Sequence, residues 1–197
     1  MPSPRCCRRF SPVKGLVPSW SKDPSGGARM INARVETLTD KPAFAKPLAV
    51  RRCLVPADGY YEWRRLGLPP GAKATAKAPR QPYWIHRDGE PVLFAGLYEF
   101  WRDRTKAGDD PARWLVSTTV ITTAASAPMA HVHDRMPVAL PPTAWDAWLD
   151  PAVGAEQAAG LLDDPLAEFA LRPVTDLVSS VRNNGPSLLD EDPEPIG

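Results

Sequence analysis

Apolar residues in this chain fall mainly into short, strand-like runs separated by turn residues, and helical spacing is confined to a few brief segments. The densest run is RRCLVPADGYYEW, Arg51 to Trp63. Leu54 and Val55 start a strand there, Pro56 and the Asp58-Gly59 pair turn the chain, and Tyr60, Tyr61 and Trp63 form a second strand around Glu62. Alternation sets Glu62 opposite Tyr61 and Trp63, either in solvent or in a cleft. In a cleft, desolvation raises a carboxyl pKa and makes the group a usable acid or base near neutral pH.

The remaining pattern extends this reading. MINAR, Met30 to Arg34, is strand-like, and Pro42 to Leu48 reads as a short helix. Arg64 to Pro82, rich in Pro, Ala, Lys and Gly, reads as a solvated loop. A second hairpin is expected from Pro82–Arg87 and Pro91–Phe100 around Asp88-Gly89-Glu90. Trp114 to Thr123, the most β-branched run, is taken as a central strand. The following segment, AASAPMAHVHDRMPVALPP, has little regular pattern. Thr143–Leu149, with Thr143 as N-cap and Trp145 and Trp148 on one face, and Gly154–Leu162 read as short helices. Pro165 to Val181 is expected to return as a last strand, and the acidic tail after Asp190 to fray. The division is an irregular basic segment 1–14, one domain 15–189 and a tail 190–197. The predicted class is α+β: a single domain with a mainly antiparallel, barrel-like β core and short peripheral helices.

Composition narrows the picture. A chain of 197 residues suits one domain with a full core, and 24 prolines favour strands and rigid loops over long helices. The net charge of +1 is neutral on nucleic acid, but the arginines are unevenly placed, with Arg5, Arg8, Arg9, Arg29, Arg34, Arg51 and Arg52 early and acids crowded after Leu161, so a local basic face is possible. No apolar run approaches the roughly 18 residues of a membrane span, and the amino terminus lacks a signal peptide's apolar core. A cytoplasmic protein without membrane association is expected. Cys6, Cys7 and Cys53 lack the spacing of a disulfide framework or a zinc site, so free thiols and no cofactor are expected.

Seven blocks in order carry a resemblance. They are PSWSKDP (Pro18–Pro24), INARVET (Ile31–Thr37), RRCLVPADGYYEW, AGLYEFW (Ala95–Trp101), TTVITTAAS (Thr118–Ser126), HDRMPVAL (His133–Leu140) and the closing VSSVRNNGPSLL. Together they resemble the SOS response-associated peptidase (SRAP) family, the abasic-site processing proteins. The resemblance implies a β-barrel-like α+β core with a positive cleft for single-stranded DNA carrying abasic sites. It implies that an amino-terminal cysteine, exposed by self-cleavage of the initiator methionine, captures the sugar aldehyde as a thiazolidine crosslink. It also implies roles by motif: Asn32 positions the reacting terminus, Glu62 handles protons at the amine, and His133 serves the sugar oxygens during ring opening. Arg34 and Arg135 hold phosphates, and Trp20 packs on the sugar or a base.

The residue types suit an aldehyde trap, which needs a nucleophile, a proton shuttle and an electrostatic grip on the backbone. Each also has a plainer reading: His133 as a loop histidine, the two arginines as surface ion pairs, Asn32 as a strand-end cap, Trp20 as core. His131 is left structural. The family opens Met-Cys-Gly, whereas this chain opens Met1-Pro2-Ser3-Pro4-Arg5-Cys6-Cys7 and reaches PSW at once. The family's N-terminal segment and nucleophile are therefore expected to be missing, because an internal cysteine has its nitrogen locked in an amide. The alternatives are a non-catalytic single-stranded DNA-binding module, or a decayed or truncated family member. A general peptidase is disfavoured because nothing resembles a protease triad. A monomer is expected.

Overall fold

The computed structural model describes residues 13–67 and 78–196. Cys6 and Cys7 and much of the expected loop after Arg64 lie outside that range. In chain order the strands are β1 (Val13–Lys14), β2 (Asn32–Arg34), β3 (Arg52–Ala57), β4 (Gly59–Arg65), β5 (Arg80–His86), β6 (Val92–Arg102), β7 (Trp114–Ala124), β8 (Arg135–Pro137) and β9 (Ala170–Pro173). Three α-helices accompany them: α1 (Pro42–Val50), α2 (Pro142–Leu149) and α3 (Ala155–Gly160).

The strands make two open sheets, so the α+β class holds but the core is not closed into a barrel. One sheet runs β1-β7-β6-β3, with β2 and β8 also on β7; the other is β4-β5-β9. β1 and β2 lie parallel to β7, and every other pairing is antiparallel. The β-branched run at β7 is central as expected.

Neither expected hairpin forms as such. β3 pairs with β6 and β4 with β5, so the chain changes sheets at Asp58 and again between β5 and β6. The sequence pattern makes Gly59 a turn residue, but its φ is not positive. A Cβ there would lie 2.4 Å from the Ile85 carbonyl oxygen, so the glycine serves the close approach of β4 to β5. The turn at Gly89 is real: φ is +71°, Arg87 bridges Glu90, and only beyond it does the strand leave for the other sheet. β4 and β5 extend into the stretch read as loop, and the last strand shrinks to β9.

The larger core lies between the six-stranded sheet and the helices, with Leu16, Phe44, Leu48, Leu97, Ile121, Leu140 and Trp148 buried together. Two polar anchors tie it down. The Trp148 indole donates to the Cys53 carbonyl at 2.9 Å, and the buried Arg52 guanidinium donates to the carbonyls of Leu48, Ala49, Trp148, Asp150 and Val153. Arg52 thereby satisfies the open carbonyl ends of both α1 and α2. Thr143 does not cap α2; Pro141 holds that position and Pro142 begins the helix, where its missing N–H costs nothing. A smaller core, including Ile85, Phe94, Met129, Met136 and Phe169, joins the two sheets. The tail is hydrogen-bonded: Asp192 N–H donates to the Pro173 carbonyl, and Ile196 N–H to the buried Gln81 side chain. Among the described residues no helix is long and apolar enough to cross a membrane.

Candidate functional site

A cavity of about 660 Å³ opens where the two sheets meet. Its wall includes Arg29, Asn32, Arg34, Lys41, Glu62, Thr122, His133 and Arg135. Five of the six side chains singled out from the sequence are thus brought together from stretches about 100 residues apart. Trp20 is not among the lining residues and stands 67% exposed.

β2 supplies Asn32 and Arg34 by simple alternation. Ala33 is fully buried in the core, so its neighbours face outward. β2 is held in register by β7, Asn32 opposite Val120 and Arg34 opposite Thr122, with the Thr119 hydroxyl donating to the Ile31 carbonyl. Arg34 makes no ion pair among the described residues and remains a free cation at the rim.

Glu62 comes from the other sheet. Desolvation raises its carboxyl pKa above the ordinary value, with the Asp134 charge adding to the rise; the His133 charge and the Trp63 backbone N–H pull the other way. Burial wins, so the carboxyl facing the cavity holds its proton to higher pH than an exposed glutamate does. Of the two readings of the strand pattern, cleft and solvent, the cleft is what the fold provides.

His133 precedes β8. Its Nδ1 lies 3.0 Å from the Arg135 backbone nitrogen, 3.2 Å from the Arg135 carbonyl oxygen and 3.1 Å from the Asp134 carboxylate. That side of the ring is engaged with protein, which leaves Nε2 as the nitrogen open to a substrate. Arg135 is not free. Its guanidinium grips Glu36 through both nitrogens, Nη1 to Oε1 at 2.5 Å and Nη2 to Oε2 at 3.0 Å, and Nη2 also donates to the Thr122 carbonyl at 2.7 Å. The Glu36 carboxyl is held below its ordinary pKa chiefly by this pair.

Arg29, Lys41 and Thr122 were not singled out from the sequence, nor was Glu36 as the partner of Arg135. They sit in unremarkable polar contexts, and only the fold shows their proximity. Cys53 is off the cavity, and burial pushes its thiol up to about 11. Among the described residues no group of three His, Cys, Asp or Glu side chains gathers to hold a metal ion.

The family model described as SOS response associated peptidase (SRAP) matches residues 7–181. The abasic site processing protein YoqW of Bacillus subtilis is 39% identical over 178 residues, covering 89% of this chain and 73% of that protein. The abasic site processing protein HMCES of Gallus gallus is 34% identical over 189 residues, covering 89% of this chain and 55% of that one. Among solved structures, a Bacteroides thetaiotaomicron protein superposes with a TM-score of 0.72 at 25% identity, covering 91% of this chain and 75% of its own. A phage-related protein of Bordetella bronchiseptica gives 0.59 at 36%, covering 83% and 70%.

Proposed function

Because the chain belongs to the SOS response associated peptidase (SRAP) family, we propose that it processes abasic sites in DNA, acting on single strands at the cavity between its two sheets. The observation that carries this reading is the meeting of Asn32, Glu62 and His133 in one cavity with Arg29, Arg34 and Lys41 at its wall, cations that make no ion pair among the described residues. Such cations neutralise backbone phosphates, and an extruded sugar lacking its base fits a polar pocket of this size. A site assembled within one chain supports action as a monomer, and a DNA substrate supports a cytoplasmic location.

The chemistry follows from what an abasic sugar needs. Ring opening moves a proton from the C1 hydroxyl and delivers one to the ring oxygen. His133 through Nε2 and Glu62 through its carboxyl serve those two transfers. An amine that attacks the resulting aldehyde loses water to give an iminium ion. A thiol adding across that C=N bond, with its proton passing to nitrogen, closes a thiazolidine. Glu62 accepts and returns the amine's proton, and Asn32 orients the attacking group.

A second reading, binding without capture, draws support from the lining itself. No described wall residue carries a thiol, and Cys53 is half-buried elsewhere. One experiment separates the two: incubate the full chain with a single-stranded oligonucleotide bearing one abasic site and run a denaturing gel. A shifted band that weakens in Glu62→Gln and His133→Ala supports capture. Salt-sensitive binding on a native gel with no denaturing shift supports binding alone, and neither shift overturns the proposal.

A further inference from the structure

β7 separates the two elements that carry the site on the six-stranded sheet. β2, with Asn32 and Arg34, pairs with it at Val120 to Thr122. β8, following His133, pairs with it at Thr122 to Ala124 and is wedged against β6 through the continuation at Val138 and Ala139. The backbone contacts of β2 and β8 overlap only at Thr122. Glu36, in the 3-10 turn Val35–Thr37 that directly follows β2, reaches across to Arg135 at the start of β8. Arg135 is simultaneously fixed to the Thr122 carbonyl. A bidentate carboxylate–guanidinium pair restricts both position and plane, unlike a point contact. Arg135 Nε is buried without a partner among the described residues, so the side chain is held from its far end. One N–H of Nη1 remains uncommitted after these bonds are counted.

We propose that Glu36 is a positioning residue of the DNA site, one that fixes Arg135 across β7 and thereby sets the His133 segment against the Asn32–Arg34 strand. This rests on the reading of the cavity as a DNA site. It makes a prediction of unusual sign. Glu36 is an acid beside a polyanion site, so electrostatics alone says that neutralising it tightens binding. If Glu36 works by holding Arg135, neutralising it weakens binding.

The test measures affinity for a single-stranded oligonucleotide with one abasic site for the wild type, Glu36→Gln, Arg135→Gln and the double variant. Glu36→Gln is expected to bind about fivefold more weakly, and its effect to vanish in the Arg135→Gln background, as coupled neighbours require. Equal or tighter binding by Glu36→Gln, or a loss that persists without Arg135, overturns the inference. If the wild type itself does not bind, the functional reading fails instead. The clamp is then judged by amide hydrogen exchange over residues 133–137: faster exchange in Glu36→Gln upholds it, and unchanged exchange overturns it.

Discussion

The two sheets divide the labour unequally. The six-stranded sheet is backed by three helices and a continuous apolar core, and its strand register places Asn32, Arg34 and Arg135, with His133 just ahead of β8. The three-stranded sheet contributes Glu62, on a strand whose residues up to Arg64 are all half-buried and whose aromatic side chains reach other parts of the chain. Tyr61 OH donates to the Leu188 carbonyl, and the Trp63 indole to the Ser179 hydroxyl. One sheet is a frame that fixes positions. The other brings one desolvated acid to the seam, where burial sets its proton affinity.

If that division is right, damage to each sheet has a different signature. The largest effect is expected from Glu62→Gln: capture of an abasic oligonucleotide, where the chain performs it, slows about 10²–10⁴-fold, the usual range for a lost general acid–base group, while Tm does not fall. Arg52→Leu should do the reverse. It strips donors from five buried or half-buried carbonyls, and a loss of about 3 kcal/mol or more is expected, read as a Tm drop of roughly 6–12 °C.

Smaller effects sharpen the contrast. The folded-state pKa of Glu62 is raised, so the native chain binds more protons than the unfolded chain between the two values. Its contribution to stability therefore falls as pH rises from the ordinary carboxylate range through the raised value, then levels off. Thermal melts should show Glu62→Gln more stable than wild type at alkaline pH, with the gap closing in acid. Glu36 has the opposite sign. Its pKa is lowered, so the stability it lends is present above the ordinary carboxylate range and is lost as pH falls; as a largely exposed pair it is worth about 1 kcal/mol at most. Arg34→Ala should reduce the salt slope of single-stranded DNA binding by about 0.7, the contribution of one phosphate contact, whereas Arg135, already neutralised by Glu36, should change it less.

The frame was more legible in the sequence than the seam. The β-branched run at β7, the strand-like stretch Met30 to Arg34 and the helix from Pro42 are local signals, and the structure forms its elements there. The hairpin readings went astray because turn chemistry at Asp58-Gly59 and Asp88-Gly89 says that the chain bends, but not that both arms stay in one sheet. Register with β6 and β5, residues 92–97 and 80–86, decides that, and it is non-local. Glu62 stands out from strand alternation, while the roles of all five clustered site residues come from the family's motifs. Their plainer readings were equally consistent with local sequence, and for Arg135 the ion-pair reading is the one the structure shows, whatever it does when DNA is bound. Glu36 could not be found from sequence, since its partner lies 99 residues away.

The most direct test of the seam as an abasic-DNA site is a pair of affinities at one fixed salt concentration, for a single-stranded oligonucleotide with one abasic position and for the same strand intact. Tighter binding of the abasic strand, with the difference erased in a Glu62→Gln, His133→Ala double variant, is the expected result. Equal affinity for the two strands would contradict it, leaving a basic surface that holds DNA without reading the missing base.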